Sequence, residues 1–353
     1  MLLLGIQEAA SAQGFERLEQ ALERYRGIAS DVSEPPPPPI PPGPALKPGA
    51  KGKRVAALRA RLAMAAEAEG AYLLPETDHP EVFDYDLEQA VRDYQDRHGL
   101  TSDGIAGAST LAEVNKTAEE QLRKIEVNLE RWRRLPADLG QRYILVNIAG
   151  FRLDAIEDGR SVLDMRVIVG RTHTRTPVVS SAIETVVLNP SWYVPKSIAS
   201  KELWPKGESY LRDNGFQVLP DGKLRQKPGA NNSLGQVKFQ FPNRFGVYLH
   251  DTPTQSLFDR TVRAFSHGCV RVERPEDLAA WVLEAHPEWS PEAIWDTIDS
   301  GRERAVRLPE PIPVHIVYWT AWVDEYGTLR FGPDVYDEDD KITYGSQLAA
   351  GSG

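Results

Sequence analysis

Eight prolines fall within ten residues, Pro35 to Pro39 followed by Pro41, Pro42 and Pro44. Each ring fixes φ and removes a backbone N–H, so neither a helix nor a sheet ladder can run through this stretch. Such a run favours extended polyproline II, a semi-rigid spacer. It predicts a linker over about 31–45 and sets a helical segment, 1–30, apart from the rest of the chain. In that segment Phe15, Leu18, Leu22, Tyr25 and Ile28 recur at helical spacing.

Beyond the linker the texture is helical and then β. Val55, Leu58 and Leu62 form one stripe, and Leu87, Ala90, Val91 and Tyr94 a second. The Asp103-Gly104 turn and the segment Thr110–Val114 complete a small three-helix module over 46–116. Thr117 and Glu120 have the spacing of a capping box. They start a connecting helix, 117–136, that Pro136 stops. From 142 the runs Tyr143–Val146, Met165–Val169, Thr185–Leu188 and Val247–Leu249 read as strands. Helices are expected at Pro275–His286 and Pro291–Ile298, with a closing hairpin from Val314 through the Asp324–Gly327 turn to Phe331. The fold class is α+β: a mainly β domain over 142–335, a small helical domain, and a loose acidic tail over 336–353.

The chain has 353 residues, 41% hydrophobic and 26% charged, enough to bury a globular core. Its formal net charge of −10, with no long basic run, argues against nucleic acid and anionic membrane surfaces. No stretch approaches the ~18–20 apolar residues of a membrane span. The short apolar start, Met1–Ile6, lacks a preceding basic region, although Ala10-Ser11-Ala12 has the form of a cleavage site. It reads either as a clipped signal peptide or as an ordinary helical or disordered start. Oligomeric state is left open.

Cys269 is the one cysteine, so no internal disulfide is expected. It sits in Ser266-His267-Gly268-Cys269-Val270-Arg271, with Tyr248-Leu249-His250-Asp251 upstream. A free thiol titrates near 8.5, and a neighbouring histidine that takes its proton makes an ion pair with a lower apparent pKa. Gly268 permits a tight turn and close substrate approach. Amides there can face a developing oxyanion. In an extended segment Arg271 lies on the same side as Cys269, suited to a substrate carboxylate or a neighbouring acid. The blander reading is an inert buried cysteine. A Cys and two His could also ligate zinc, but structural zinc takes four ligands and no second cysteine exists, so neither metal nor cofactor is expected. The remaining histidines, at 79, 98, 173, 286 and 315, read as structural.

His250 and, sixteen positions on, Ser266-His267-Gly268-Cys269 resemble the signature of the YkuD-type L,D-transpeptidase domain. Lys47-Pro48-Gly49, Val55–Arg59, Tyr94-Gln95, Gly99-Leu100 and Asp103–Gly107 resemble a peptidoglycan-binding domain of three helices. Arg175-Thr176-Pro177, Asn189-Pro190 with Trp192, and Arg225–Gly229 are similar to the larger, YcbB-like branch. The resemblance covers about 15–335. It implies that Cys269 is acylated by a tetrapeptide stem of peptidoglycan, releasing D-alanine, and that an amine of a second stem then forms a 3→3 cross-link. It implies His250 as base, the Asp251 carbonyl as its orienter, and Gly268 with the amides of His267 and Cys269 as the oxyanion region. Tyr248, Trp192, Ser266 and Arg271 would line the substrate site. Carbapenem-type inhibitors would acylate Cys269, and the protein would work in the periplasm or cell envelope. The branch carries a lid, which looks short here, at about 197–236. Hydrolysis of the same thioester, as an L,D-carboxypeptidase, and a non-catalytic wall-binding role are the alternatives.

Overall fold

The computed structural model describes residues 9–30 and 36–342. The first eight residues, the start of the linker and the tail beyond 342 lie outside them. The chain forms two compact units, one from residues up to 138 together with 318 onward, the other from 139–317.

The first unit opens with α1 (Ala9–Ser30), followed by α2 (Lys53–Glu69), α3 (Tyr85–Arg97), α4 (Ala108–Val114) and α5 (Ala118–Trp132). The ends of these helices follow local chemistry. Asp84 caps α3 by accepting from the Leu87 amide, and Gly70 ends α2 in the left-handed conformation. At α5 the expected Thr117–Glu120 box is formed in both directions, a contribution of about 1 kcal/mol. Val55, Leu58, Leu87, Val91 and Ala106 are fully buried in the three-helix core. The proline segment is no free spacer from residue 36 on. Ile40 is buried in that core, and its backbone exchanges hydrogen bonds of 2.8 and 3.0 Å with the Asn115 amide. Arg61 and Arg54 donate to the carbonyls of Pro37, Pro41 and Pro44. Prolines leave carbonyls without ladder partners, and arginines supply the donors.

The second unit is built on β1 (Arg142–Asn147), β2 (Arg152–Glu157), β3 (Arg160–Gly170), β4 (Val179–Leu188), β5 (Trp192–Tyr193), β6 (Phe216–Val218), β7 (Leu224–Gln226), β8 (Val237–Gln240), β9 (Leu249–His250), β10 (Ala264–Ser266), β11 (Val270–Val272) and β12 (Arg304–Val317). The main sheet runs β10-β3-β11-β9-β8-β4-β12-β1-β2, and β2 also pairs with β3, so the ladder closes on itself. Closure leaves few free edges. Helices α7 (Pro275–Leu283) and α8 (Pro291–Asp299) pack beside the sheet, with α6 (Gly207–Asp213) in the insertion between β5 and β6. That insertion, where the sequence leads one to expect a lid at about 197–236, has its own core of Val194, Ala199, Leu203, Leu211, Phe216 and Leu224. It carries the small sheet β5-β7-β6.

The expected closing hairpin divides. Val314–Val317 ends β12 beside β1, whereas β13 (Ala321–Val323) and β14 (Leu329–Phe331) belong to the helical unit. There Ala321, Leu329 and Phe331 are buried against Leu18, Leu22, Tyr25, Ile125 and Leu129. The tail expected to be loose from 336 is held through 342. Tyr336 stacks on Tyr318 at 5.3 Å, and Asp339 pairs with Arg131 at 2.6 Å.

Candidate active site

Three adjacent strands build the site. Lys238 on β8 is paired with His250 on β9, and His250 with Arg271 on β11. Paired residues share a face of the sheet, as do residues two apart along a strand. Lys238, Tyr248, His250, Cys269 and Arg271 therefore point one way. Val237, Phe239, Leu249, Val270 and Val272 point into the core and are fully buried. Strands ~4.8 Å apart leave Cys269 and His250 diagonal neighbours. Among the described residues no hydrogen bond joins their side chains. The Cys269 thiol is partly exposed and meets the backbone N–H and hydroxyl of Tyr248.

His250 Nδ1 lies 2.5 Å from the Asp251 carbonyl oxygen. A carbonyl can only accept, so Nδ1 carries the proton and Nε2 keeps its lone pair. Burial first, then the positive charges of Arg271 and Lys238, push His250 down to about 3. The ring is neutral at physiological pH. Burial raises the Cys269 thiol, and the Tyr248 donors, Lys238 and Arg271 only partly offset it. Both shifts favour a neutral thiol beside a neutral imidazole over the ion pair expected from the sequence.

The Asp251 carbonyl is itself fixed. The Asp251 carboxylate accepts from the amides of Gln236 and Thr252 at 2.7 and 2.6 Å, and its amide donates to Val237. Gly235, at φ +62°, makes room: a Cβ there would lie 2.0 Å from Asp251 Oδ2. The nucleophile turn is held in a similar way. Ser266 Oγ donates to the Cys269 carbonyl at 2.5 Å and accepts from the Gly268 amide at 3.0 Å. Gly268, at φ +115°, directs its carbonyl to Thr176 Oγ1 at 2.9 Å.

These contacts change the reading of three residues. The Ser266 hydroxyl is committed to the turn rather than to substrate, because both its donor and an acceptor site are used. The Gly268 amide is committed to Ser266. His267 turns toward the lid, its Nε2 2.5 Å from Glu202 Oε1 and its side chain 28% exposed. Trp192 does reach the site, its ring N–H directed at the Tyr248 hydroxyl. Lys238 and Glu202 were not anticipated. The alternation Val237-Lys238-Phe239 marks Lys238 as the outward residue of a buried strand, a signal that was available; nothing local marks Glu202. Among the described residues no group of three or more His, Cys, Asp or Glu side chains is arranged to hold a metal.

The fold and this site define a β-rich domain that presents a thiol beside an anchored imidazole. Residues 141–306 match the family model described as the L,D-transpeptidase catalytic domain, YkuD, and residues 51–113 the one described as "Putative peptidoglycan binding domain". Over those two spans the chain is similar to YkuD-type L,D-transpeptidase catalytic domains and to peptidoglycan-binding domains. It is 33% identical over 242 residues to a Haemophilus influenzae protein named "Putative L,D-transpeptidase", covering 62% of this chain and 48% of that protein, about half its length. Among solved structures it is similar to an L,D-transpeptidase from Xylanimonas cellulosilytica, at 19% identity and TM-score 0.26, covering 80% of this chain and 100% of that one. It is also similar to the E. faecium L,D-transpeptidase catalytic domain acylated by ertapenem, at 14% identity and TM-score 0.26, covering 50% of this chain and 96% of that one.

Proposed function

We propose that this protein is a cysteine acyltransferase of the cell wall, an L,D-transpeptidase in which Cys269 is the nucleophile and His250 the base. The observation that carries the reading is the shared sheet face of Cys269 and His250, with the imidazole anchored through Nδ1 to the Asp251 carbonyl. Nε2 is the only ring nitrogen left to take a proton. Because the thiol and the imidazole both rest neutral, proton transfer accompanies attack instead of preceding it. The Cys269 Sγ–carbonyl bond forms on the third residue of a tetrapeptide stem, the C–N bond to the terminal D-alanine breaks, and the thiol proton leaves on the departing amine through His250. An amine of a second stem then displaces the thioester to form a 3→3 cross-link. The amides of His267 and Cys269 are the proposed oxyanion donors, a reading supported by the use of the Gly268 amide by Ser266. Tyr248, Trp192 and Arg271 line the donor site. A strained β-lactam carbonyl suits the same thiol, which supports carbapenem acylation. The polymer substrate puts the work outside the cytoplasmic membrane; among the described residues no helix is long and apolar enough to cross one.

Incubation with a defined disaccharide-tetrapeptide, followed by mass spectrometry, tests this. Free D-alanine with dimeric muropeptide is expected; tripeptide alone indicates the L,D-carboxypeptidase. Cys269→Ala abolishes the acyl-enzyme, and His250→Ala slows its formation ~10²–10⁴-fold. Undiminished cross-linking by Cys269→Ala defeats the proposal, and a wall-binding protein without catalysis gives no acyl-enzyme at all.

A further inference from the structure

Two cations act on the nucleophile and a third acts on one of them. Lys238 and Arg271 flank His250 in one row across the sheet, and Arg171 acts on Arg271 from the end of β3. Among the described residues none of the three lies within ion-pair distance of a carboxylate. Arg271 Nε is buried and has no hydrogen-bond partner. Lys238 Nζ rests 4.1 Å from the Tyr248 ring centroid, a contact that leaves its N–H donors to be used elsewhere. The acid whose charge reaches Lys238, Glu303, already accepts from Ser191 Oγ at 2.5 Å. Gathering unpaired cations on a partly buried face is unfavourable unless an anion joins them, because desolvated like charges repel.

Resting on the transpeptidase reading, we infer that Lys238, together with Arg271, binds the free α-carboxylate of the residue that leaves, and so restricts the donor to stems ending one residue beyond the scissile bond. From the scissile carbonyl carbon to that carboxylate there are three bonds, a span of about 4 Å. Lys238 and Arg271 share the sheet face of Cys269, and their charges reach its sulfur, so a carboxylate departing along that face approaches them. Glu202, the acid at the nucleophile turn, is taken by His267 and leaves the two cations without a carboxylate partner. A stem extended by a fifth residue has no charge at that point and must accommodate a peptide bond there.

The test compares two donors, a tetrapeptide with a free C-terminus and its C-terminal carboxamide, in single-turnover acylation of the full-length protein. Wild type is expected to prefer the free acid by roughly 10–100-fold, the range of a hydrogen bond to a charged group. Lys238→Met should remove most of that preference by slowing the acid much more than the amide, and Lys238→Arg should restore a large part of it. If Lys238 acted only by favouring the thiolate, Lys238→Met would slow both donors equally and leave the preference intact; that result overturns the assignment. So does a wild type that acylates on acid and amide at the same rate. A wild type acylated by neither donor defeats the transpeptidase reading itself. Loss of folding in the methionine variant is read from its circular dichroism, and the arginine variant then decides: retained preference supports the assignment, and equal rates on both donors oppose it.

Discussion

Asp251→Asn separates two ways in which an aspartate can serve a histidine. Here the imidazole is held by the Asp251 carbonyl, at 2.5 Å, and not by its carboxylate. The carboxylate instead takes two amides, Gln236 at 2.7 Å and Thr252 at 2.6 Å, on separate oxygens. Asparagine keeps the backbone carbonyl but offers one acceptor oxygen where two are needed. Whichever way the amide is oriented, its NH2 faces a buried N–H. An unsatisfied buried donor costs ~1–3 kcal/mol. In a domain of this size that corresponds to roughly 2–12 °C in melting temperature. The base itself is preserved, so acylation by a carbapenem should fall less than ~10-fold at temperatures where the variant is folded. Amidating an aspartate whose carboxylate sets the histidine tautomer costs about 10⁴. Stopped-flow acylation alongside differential scanning calorimetry reads both quantities. A loss of 10³ or more with an unshifted melting temperature would refute the reasoning, because the negative charge would then be acting on the imidazole.

With His250 depressed to about 3, the neutral base is present above that pH and is lost only as pH falls through it. Acylation should be flat from about pH 5 to 8, rising when the raised Cys269 thiol begins to ionise; an inflection near 6.5 would mean an unperturbed imidazole. In the helical unit the buried Glu69 carboxylate joins Tyr25, Arg97 and His98 at 3.0, 2.8 and 2.9 Å. Burial opposes both shifts there, yet Arg97 and His98 hold Glu69 low and the carboxylates of Glu69 and Glu113 hold His98 high. The raised histidine contributes stability fully present below its unfolded value of 6.5 and lost as pH rises through the folded value. Glu69→Gln should cost about 3–5 kcal/mol in chemical denaturation, remove that alkaline decline and lower His98 in an NMR titration; an unchanged His98 titration counts against the network.

Local chemistry was the legible part. The capping box at Thr117, the prolines that open α7 and α8, and the stripes of α2 and α3 are set by residues within a turn of each other. The Cys269–Arg271 alternation likewise showed which side chains share a face. What escaped the sequence depends on distant partners. Nothing in Ala321–Phe331 says that its apolar side covers α1 and α5 instead of continuing the β domain, because alternation reports burial and not what does the burying. The docking of Ile40 was hidden by the proline run around it, and its partner Asn115 lies 75 residues away. Resting protonation states are also a sum over the surroundings: burial outweighs the pairing that motif reasoning alone would suggest.

The border between the two units, crossed near 138 and again near 317, sets what a shortened version of this protein would be. Translation halted after Val317 would deliver every proposed catalytic group and an intact β12. It would also strip Leu329 and Phe331 from the helices, leaving Leu18, Leu22, Ile125 and Leu129 uncovered. Such a fragment would keep its chemistry yet tend to clump, so premature termination late in the message would show itself as lost solubility before lost catalysis.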